Sequence, residues 1–182
     1  MPIFTPSSSL HNGYGNLRQG RLPELMQQGV NIGIGSDHAC SGITDIVQEM
    51  LLFAGTHKEI QMNPRVVPPE QVVEMATING ARCAGLADEL GSIEVGKQAD
   101  LVLFDTDCPE WQPLYNPVSN LVYSATGNSV SDVLVAGRRV VENRRLSAVD
   151  EAEILERVRE SVQRFGDRLD LDKLVKHQWP IV

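Results

Sequence analysis

The chain has 182 residues, 42% of them hydrophobic and 22% charged, with a formal net charge of −8. That is globular composition, long enough for a sizeable core. An acidic balance without a basic cluster, and only 5% aromatic residues, argue against nucleic-acid binding. The paired arginines at Arg138–Arg139 and Arg144–Arg145 read as solvated positions, with Glu142 between them. Cys40, Cys83 and Cys108 are odd in number and form no CxxC pair, so reduced thiols in a cytoplasmic protein are expected. "MPIFTPSSSL" has neither a basic n-region nor a long apolar run, and is not expected to be a signal peptide. No apolar stretch approaches the ~20 residues of a membrane span.

In chain order, Ile3–Thr5 is a short apolar piece stopped by Pro6 and reads as the end of a strand. "SSSLHNGYGNLRQG" is polar and glycine-rich, and is expected to be a loop. "RLPELMQQG" suits a short helix, with Pro23 in its first turn and Gly29 at its stop. "VNIGIGS" reads as a buried strand whose glycines allow close backbone approach. Thr44 or Asp45 can cap the helix "DIVQEMLLFAG", where Ile46, Met50 and Phe53 share a face. Helical connections between the strands favour parallel pairing.

Pro68–Pro69 precede a helix offering Val72, Val73, Met75, Ala76 and Ile78, with a break expected at Asn79–Gly80 and a second helix over Ala81–Leu86. After Gly91 the pattern turns strand-like in "SIEVGKQADLVLFD" and "VSDVLVAGRRVVEN", with a hairpin turn at Ala136–Gly137–Arg138. From about Ala152 the chain returns to helix, with Ile154, Leu155, Val158, Val162, Phe165 and Leu169 forming one apolar stripe. This stripe is a packing face or a dimer surface.

The stretch "NIGIGSDHAC" carries the chemistry-bearing residues. A strand ends on Asp37, followed by His38 and Cys40. Neighbours on an extended chain point opposite ways, so these three residues do not by themselves make a zinc site. Cys40 reads as a small apolar filler.

In order, "GVNIGIGSD", "EM", "ATINGARCAGL", "LGSIEVGKQADLVLFD" and "VLVAGRRVVEN" resemble the C-terminal part of the amidohydrolase superfamily. The similarity is to its cytosine, guanine and S-adenosylhomocysteine deaminase and chlorotriazine hydrolase branch, and covers roughly Pro6 to Asn143. The resemblance implies an α/β fold: the last part of a (β/α)8 barrel, left incomplete in this chain, with the C-terminal portion of a small β-sandwich and a terminal helix. The implied domains are 1–89 for barrel strands seven and eight with their helices, 90–146 for the sandwich strands, and 147–182 for the helical segment. Ile3–Thr5 then resembles strand seven, and Asn31–Gly35 strand eight. Lys97 and Asp100, in the tail motif, look structural, shaping a tight turn that feeds a strand.

The resemblance also implies a role for Asp37 at the C-terminal mouth of the barrel. There it is a metal ligand and the catalytic acid–base that takes a proton from the attacking water and passes it to the leaving amine. His38, Asn12 and Tyr14 are candidate substrate-rim residues. The implied cofactor is a divalent metal, zinc or alternatively iron, in the complete enzyme. The four histidines, His11, His38, His57 and His177, make no H-x-H pair, and none precedes the strand-seven match. This chain alone is therefore expected to hold metal weakly or not at all, and to be inactive as a fragment. The implied substrate is a small heterocycle that loses an amine or a chloride. No nucleic-acid or membrane partner is expected; a second copy or a complementing N-terminal portion is. The alternative is a non-catalytic binding or assembly subunit working with a partner that supplies the rest of the barrel.

Overall fold

The structure, a computed structural model, describes residues 1–37 and 42–169. Two compact units divide at Arg144/Arg145.

The first unit begins with strand β1 (Ile3–Phe4), followed by helices α1 (Pro6–Asn12), α2 (Asn16–Gln19) and α3 (Leu22–Gln27), then strand β2 (Gly33–Ile34). β1 and β2 pair in parallel, Ile3 opposite Gly33 and Phe4 opposite Ile34. The expected loop after Pro6 is therefore mostly helical, with α1 in its first half and α2 in its second. Pro6 occupies the first turn, where its missing N–H costs nothing, and Gly13 closes the helix at φ 66°. The serines lowered the helical signal because they compete for backbone hydrogen bonds elsewhere. Here they are buried, and tertiary contacts decide the outcome.

The glycines of β2 act through proximity. A Cβ on Gly33 would meet Cys83 Sγ and the Gly80 Cα at 3.3 Å, and one on Gly35 would meet Ile3 Cγ2 at 3.2 Å. The strand thus lies directly against its neighbours on both sides.

Helix α4 (Ile46–Ile60) is the spine of the unit. Asp45 caps it by accepting from Val47 N–H at 2.9 Å. Met50 and Phe53 are buried as the pattern predicts, with Val47, Ala54 and His57 beside them. Ile46 is different: it sits in the first turn and is 38% exposed, while Glu49 takes the buried place. Phe53 has no exposed surface. Its ring lies edge-on to Phe4 at 5.8 Å and to His57 at 4.6 Å between centroids.

Helices α5 (Pro69–Ala76) and α6 (Ile78–Ala84) follow, hinged at Thr77. The break comes two residues earlier than expected, and Asn79–Gly80 lies inside α6. Thr77 is the residue that leaves helical geometry, at φ −123° and ψ −100°. Gly80 in turn permits the close approach to Gly33. Val72 and Met75 are fully buried against α4 and β2 in the core.

Strand β3 (Leu101–Phe104), helix α7 (Pro117–Tyr123), and strands β4 (Val130–Val135) and β5 (Arg138–Glu142) complete the unit. β4 pairs antiparallel with both β3 and β5. The β4–β5 hairpin turns on Ala136 (φ 49°) and Gly137 (φ 77°), the two positive values that a type I′ turn requires. Asp100 accepts from the Ala136 N–H at 2.6 Å, and Ala99 O accepts from the Gly137 N–H at 3.0 Å. Lys97 donates to Ser92 Oγ at 2.6 Å. Lys97 and Asp100 therefore fix turns, as their place in the tail motif suggested.

Gly91 is the tightest point of this segment. It lies at φ 89°, and a Cβ there would fall 2.8 Å from both Ala81 Cβ and Ile78 Cα. Gly91→Ala is expected to destabilise the chain by roughly 2–3 kcal/mol, since it combines backbone strain with overpacking. The urea midpoint should fall with little change in m-value.

The buried polar residue His57 carries a pH dependence. It is 2% exposed, and its Nε2 is buried without a hydrogen-bond partner among the described residues, as is Glu24 Oε2. Burial lowers the imidazole pKa below 6.5, against a smaller upward pull from the Glu24 carboxylate. The unfolded chain therefore binds more protons than the folded one just below pH 6.5. The stability His57 contributes as a neutral ring is complete above that pH and is lost as pH falls towards the lower folded value. Urea midpoints measured from pH 7.5 to 5 should drop more in wild type than in His57→Gln. Equal slopes would remove His57 as the cause.

The second unit contains the short strand β6 (Arg145–Leu146) and helix α8 (Glu151–Arg168). Asp150 caps α8, accepting from Ala152 N–H at 2.9 Å and Glu153 N–H at 3.3 Å. Among the described residues, no helix is long and apolar enough to cross a membrane.

Among the described residues the architecture is thus a mixed α/β fold with a two-stranded parallel sheet, a separate antiparallel sheet and no closed barrel, as expected of an incomplete (β/α)8 arrangement with a β-sheet tail.

Candidate active site

Because β1 and β2 are parallel neighbours, their C-terminal ends open on the same side. α1 leaves from the first and Asp37 stands just past the second. Asp37 is exposed and sits at φ 57°, a left-handed conformation that a short polar side chain tolerates better than most. Ser8 Oγ donates to Asp37 Oδ2 at 3.3 Å. The two strand ends are thereby joined through side chains 29 positions apart.

Ser8 is held from behind. Its neighbour Ser7 donates its N–H to Glu49 Oε2 at 2.9 Å, and its hydroxyl donates to Glu49 Oε1. Glu49 has no exposed surface. A buried carboxylate is costly unless hydrogen-bonded, and here it also satisfies a backbone donor in the first turn of α1. α4 therefore clamps the start of α1, and that clamp places Ser8 beside Asp37.

The other candidates separate. Asn12 is exposed and donates from Nδ2 to Ser8 O at 3.0 Å, so it ties down the end of α1 next to the Ser8–Asp37 contact. Tyr14 is 60% exposed just beyond α1. His38 and Cys40 lie outside the described residues.

Ser7, Ser8 and Glu49 were not singled out from the sequence. The available signal was Glu49 itself, a carboxylate four residues before Phe53 and on the same buried side of the helix. A charge on an apolar face needs a partner, and the run Ser7–Ser9 offers one.

Among the described residues, no group of three or more His, Cys, Asp or Glu is arranged to hold a metal ion. The described site offers the single carboxylate of Asp37, with a serine hydroxyl beside it. One carboxylate does not meet the three or four ligands that a zinc centre requires. These residues do not fit a metal on their own.

The amidohydrolase family profile matches residues 10–140. The chain belongs to the amidohydrolase family. It is 37% identical over 155 residues to a 5-methylthioadenosine/S-adenosylhomocysteine deaminase of Syntrophobacter fumaroxidans, covering 82% of this chain and 35% of that protein. It is 39% identical over 127 residues to an S-triazine hydrolase of Gordonia rubripertincta, covering 69% of this chain and 27% of that protein. Among solved structures, an adenosine deaminase from Xanthomonas campestris with bound zinc superposes with a TM-score of 0.79 at 32% identity, over 89% of this chain and 36% of that one. This amidohydrolase chain thus spans about a third of the length of the relatives it matches, and is related to deaminases and triazine hydrolases.

Proposed function

We propose that this chain supplies the closing edge of the active site of an amidohydrolase that removes an amine from an electron-poor heterocycle. The observation that carries the reading is Asp37: an exposed carboxylate at the end of a parallel strand, oriented by Ser8, in a chain whose relatives are named for deaminating adenosine derivatives or hydrolysing triazines. The proposed chemistry is addition of water to the ring carbon that bears the leaving group. Asp37 accepts the water proton as the new C–O bond forms. The same proton is delivered to the departing nitrogen as the C–N bond breaks, so the carboxylate is regenerated and ammonia leaves. Ser8, by donating to Oδ2, keeps one carboxylate oxygen occupied and leaves the other for the proton. Asn12 and Tyr14, beside the same opening, are proposed as rim contacts for substrate, as is His38. The wider fold positions this edge, and the rest of the barrel comes from a complementing polypeptide or from a longer chain.

The test is ammonia release from a panel of aminopurines, aminopyrimidines and aminotriazines, with and without a complementing N-terminal portion taken from a relative. Turnover only in the complemented mixture supports the reading. Assembly of the two portions without turnover on any of these classes would favour a non-catalytic assembly role. Turnover by the 182-residue chain alone, insensitive to Asp37, would place the site elsewhere.

A further inference from the structure

Ser7 and Ser8 are consecutive, and each is taken by a different carboxylate. Ser7 gives its N–H and its hydroxyl to Glu49 on α4, and Ser8 gives its hydroxyl to Asp37 past the end of β2. Successive residues of a helix project about 100° apart. The first turn of α1 therefore meets the core with one serine and the site with the next.

The two contacts are unequal. Glu49 has no exposed surface and accepts twice from one residue, with the backbone N–H at 2.9 Å. Away from water such bonds are electrostatically stronger than at the surface. Asp37 is exposed, and Ser8 Oγ stands 3.3 Å from its Oδ2. An O–H···O bond ordinarily lies at about 2.7–2.8 Å, and by about 3.6 Å it is no longer one. A shift of α1 by a few tenths of an ångström away from β2 therefore releases Asp37. The local ties of α1 do not prevent that shift. Ser9 N–H bonds to Thr5 O at 3.1 Å and Asn12 Nδ2 to Ser8 O at 3.0 Å, and both bonds travel with the segment. Among the described residues, the hydrogen bonds that join the first turn of α1 to another helix are those of Glu49.

We infer that Glu49 is a positioning residue for the Asp37 carboxylate, acting through Ser7 and Ser8. It touches no substrate. It holds the first turn of α1 at the distance from β2 where Ser8 can engage Asp37 Oδ2, and so fixes which way the carboxylate faces. The consequence for turnover rests on the proposed catalytic role of Asp37. The consequence for the surroundings of the carboxylate does not, and the two are measured separately.

The first measurement is the carbon-13 chemical shift of the Asp37 side-chain carboxyl in the 182-residue chain, which requires no activity. Ser8→Ala gives the reference for a released carboxylate. Glu49→Leu removes both acceptors and keeps an apolar side chain in the buried place. It should move the resonance to the Ser8→Ala position, and adding Ser8→Ala to it should move the resonance no further. Ser7→Ala removes one of the two bonds and should move it part of the way, which decides the matter if the leucine variant does not fold. Glu49→Gln keeps an oxygen for the Ser7 N–H and offers an amide to the Ser7 hydroxyl, and should stay near wild type. The second measurement is turnover of the complemented enzyme. A misplacement of about 1 Å costs on the order of 10²-fold, so the smaller shift in Glu49→Leu should lower kcat about tenfold with KM within about twofold. Glu49→Leu/Ser8→Ala should lose no more than Ser8→Ala alone. A purely structural role would instead give additive losses, which overturns the inference. So does a carboxyl resonance unmoved by Ser8→Ala, or unmoved in the folded Glu49→Leu and Ser7→Ala chains. Glu49→Gln as damaging as Glu49→Leu also overturns it, because charge rather than the hydrogen bonds would then be acting. A complemented enzyme without turnover, or one indifferent to Asp37→Asn, counts against the proposed chemistry, and the carboxyl resonance then decides the positioning by itself.

Discussion

Asparagine in place of Asp37 is expected to lower turnover of the complemented enzyme by about 10²–10⁴-fold, the range that one positioned acid–base group supplies. The substitution keeps shape and still accepts a hydrogen bond from Ser8. It removes the charge and the proton acceptor. Assembly with the complementing portion, followed by light scattering, should be unchanged. Substrate affinity should change far less than turnover, because the lost function is proton transfer rather than binding. Ser8→Ala is a useful companion. It leaves the carboxylate in place but frees its orientation, and should cost less than Asp37→Asn. A Ser8→Ala loss equal to that of Asp37→Asn would mean that the serine touches the reacting atoms itself.

Phe53→Ala is expected to destabilise the chain by about 3–5 kcal/mol. The ring is fully buried at the centre of α4, with Phe4 of β1 on one side and His57 on the other. Removing it opens a cavity between the strand that leads to Ser8 and the helix that holds Glu49. The urea midpoint should fall sharply. Phe53→Leu, which fills most of the volume, should recover the larger part of the loss. Because the cavity lies behind the site, partial unfolding in Phe53→Ala should loosen α1 first. Hydrogen exchange at Ser9 N–H, which bonds to Thr5 O at 3.1 Å, would report it.

Much of this fold was legible because its elements obey simple periodic rules. α4 is announced by Asp45 and by Met50 and Phe53 at helical spacing, the hairpin by Ala136–Gly137, and α8 by its apolar stripe. The family resemblance named Asp37 from its strand-end position. What escaped was non-local. Nothing near Pro6 in the sequence says that Ser7 will find a buried carboxylate 42 residues away, so the polar run read as loop. Local rules likewise placed the α5–α6 break at Asn79–Gly80, because that dipeptide commonly turns. The chain instead breaks at Thr77, and Gly80, inside α6, lies close against Gly33 in β2. Ile46 looked like a core residue because it is apolar and in phase. The first turn of α4 instead gives the inside position to Glu49, whose partner lies on another element.

Asp45 has a second role besides capping α4. Its Oδ1 takes the Val47 N–H, and its Oδ2 takes the N–H of Gly127 at 2.8 Å, across 82 residues of chain. The start of the central helix is therefore completed by a loop made much later in synthesis. As the polypeptide leaves the ribosome, α4 can form early, but its cap stays half-used until Gly127 has emerged. Contacts of such sequence separation slow folding, since the loop entropy must be lost before the contact repays it. A nascent chain paused before α7 has β1, α1, α2 and β2 to pack on α4, but the side that α7 covers stays open.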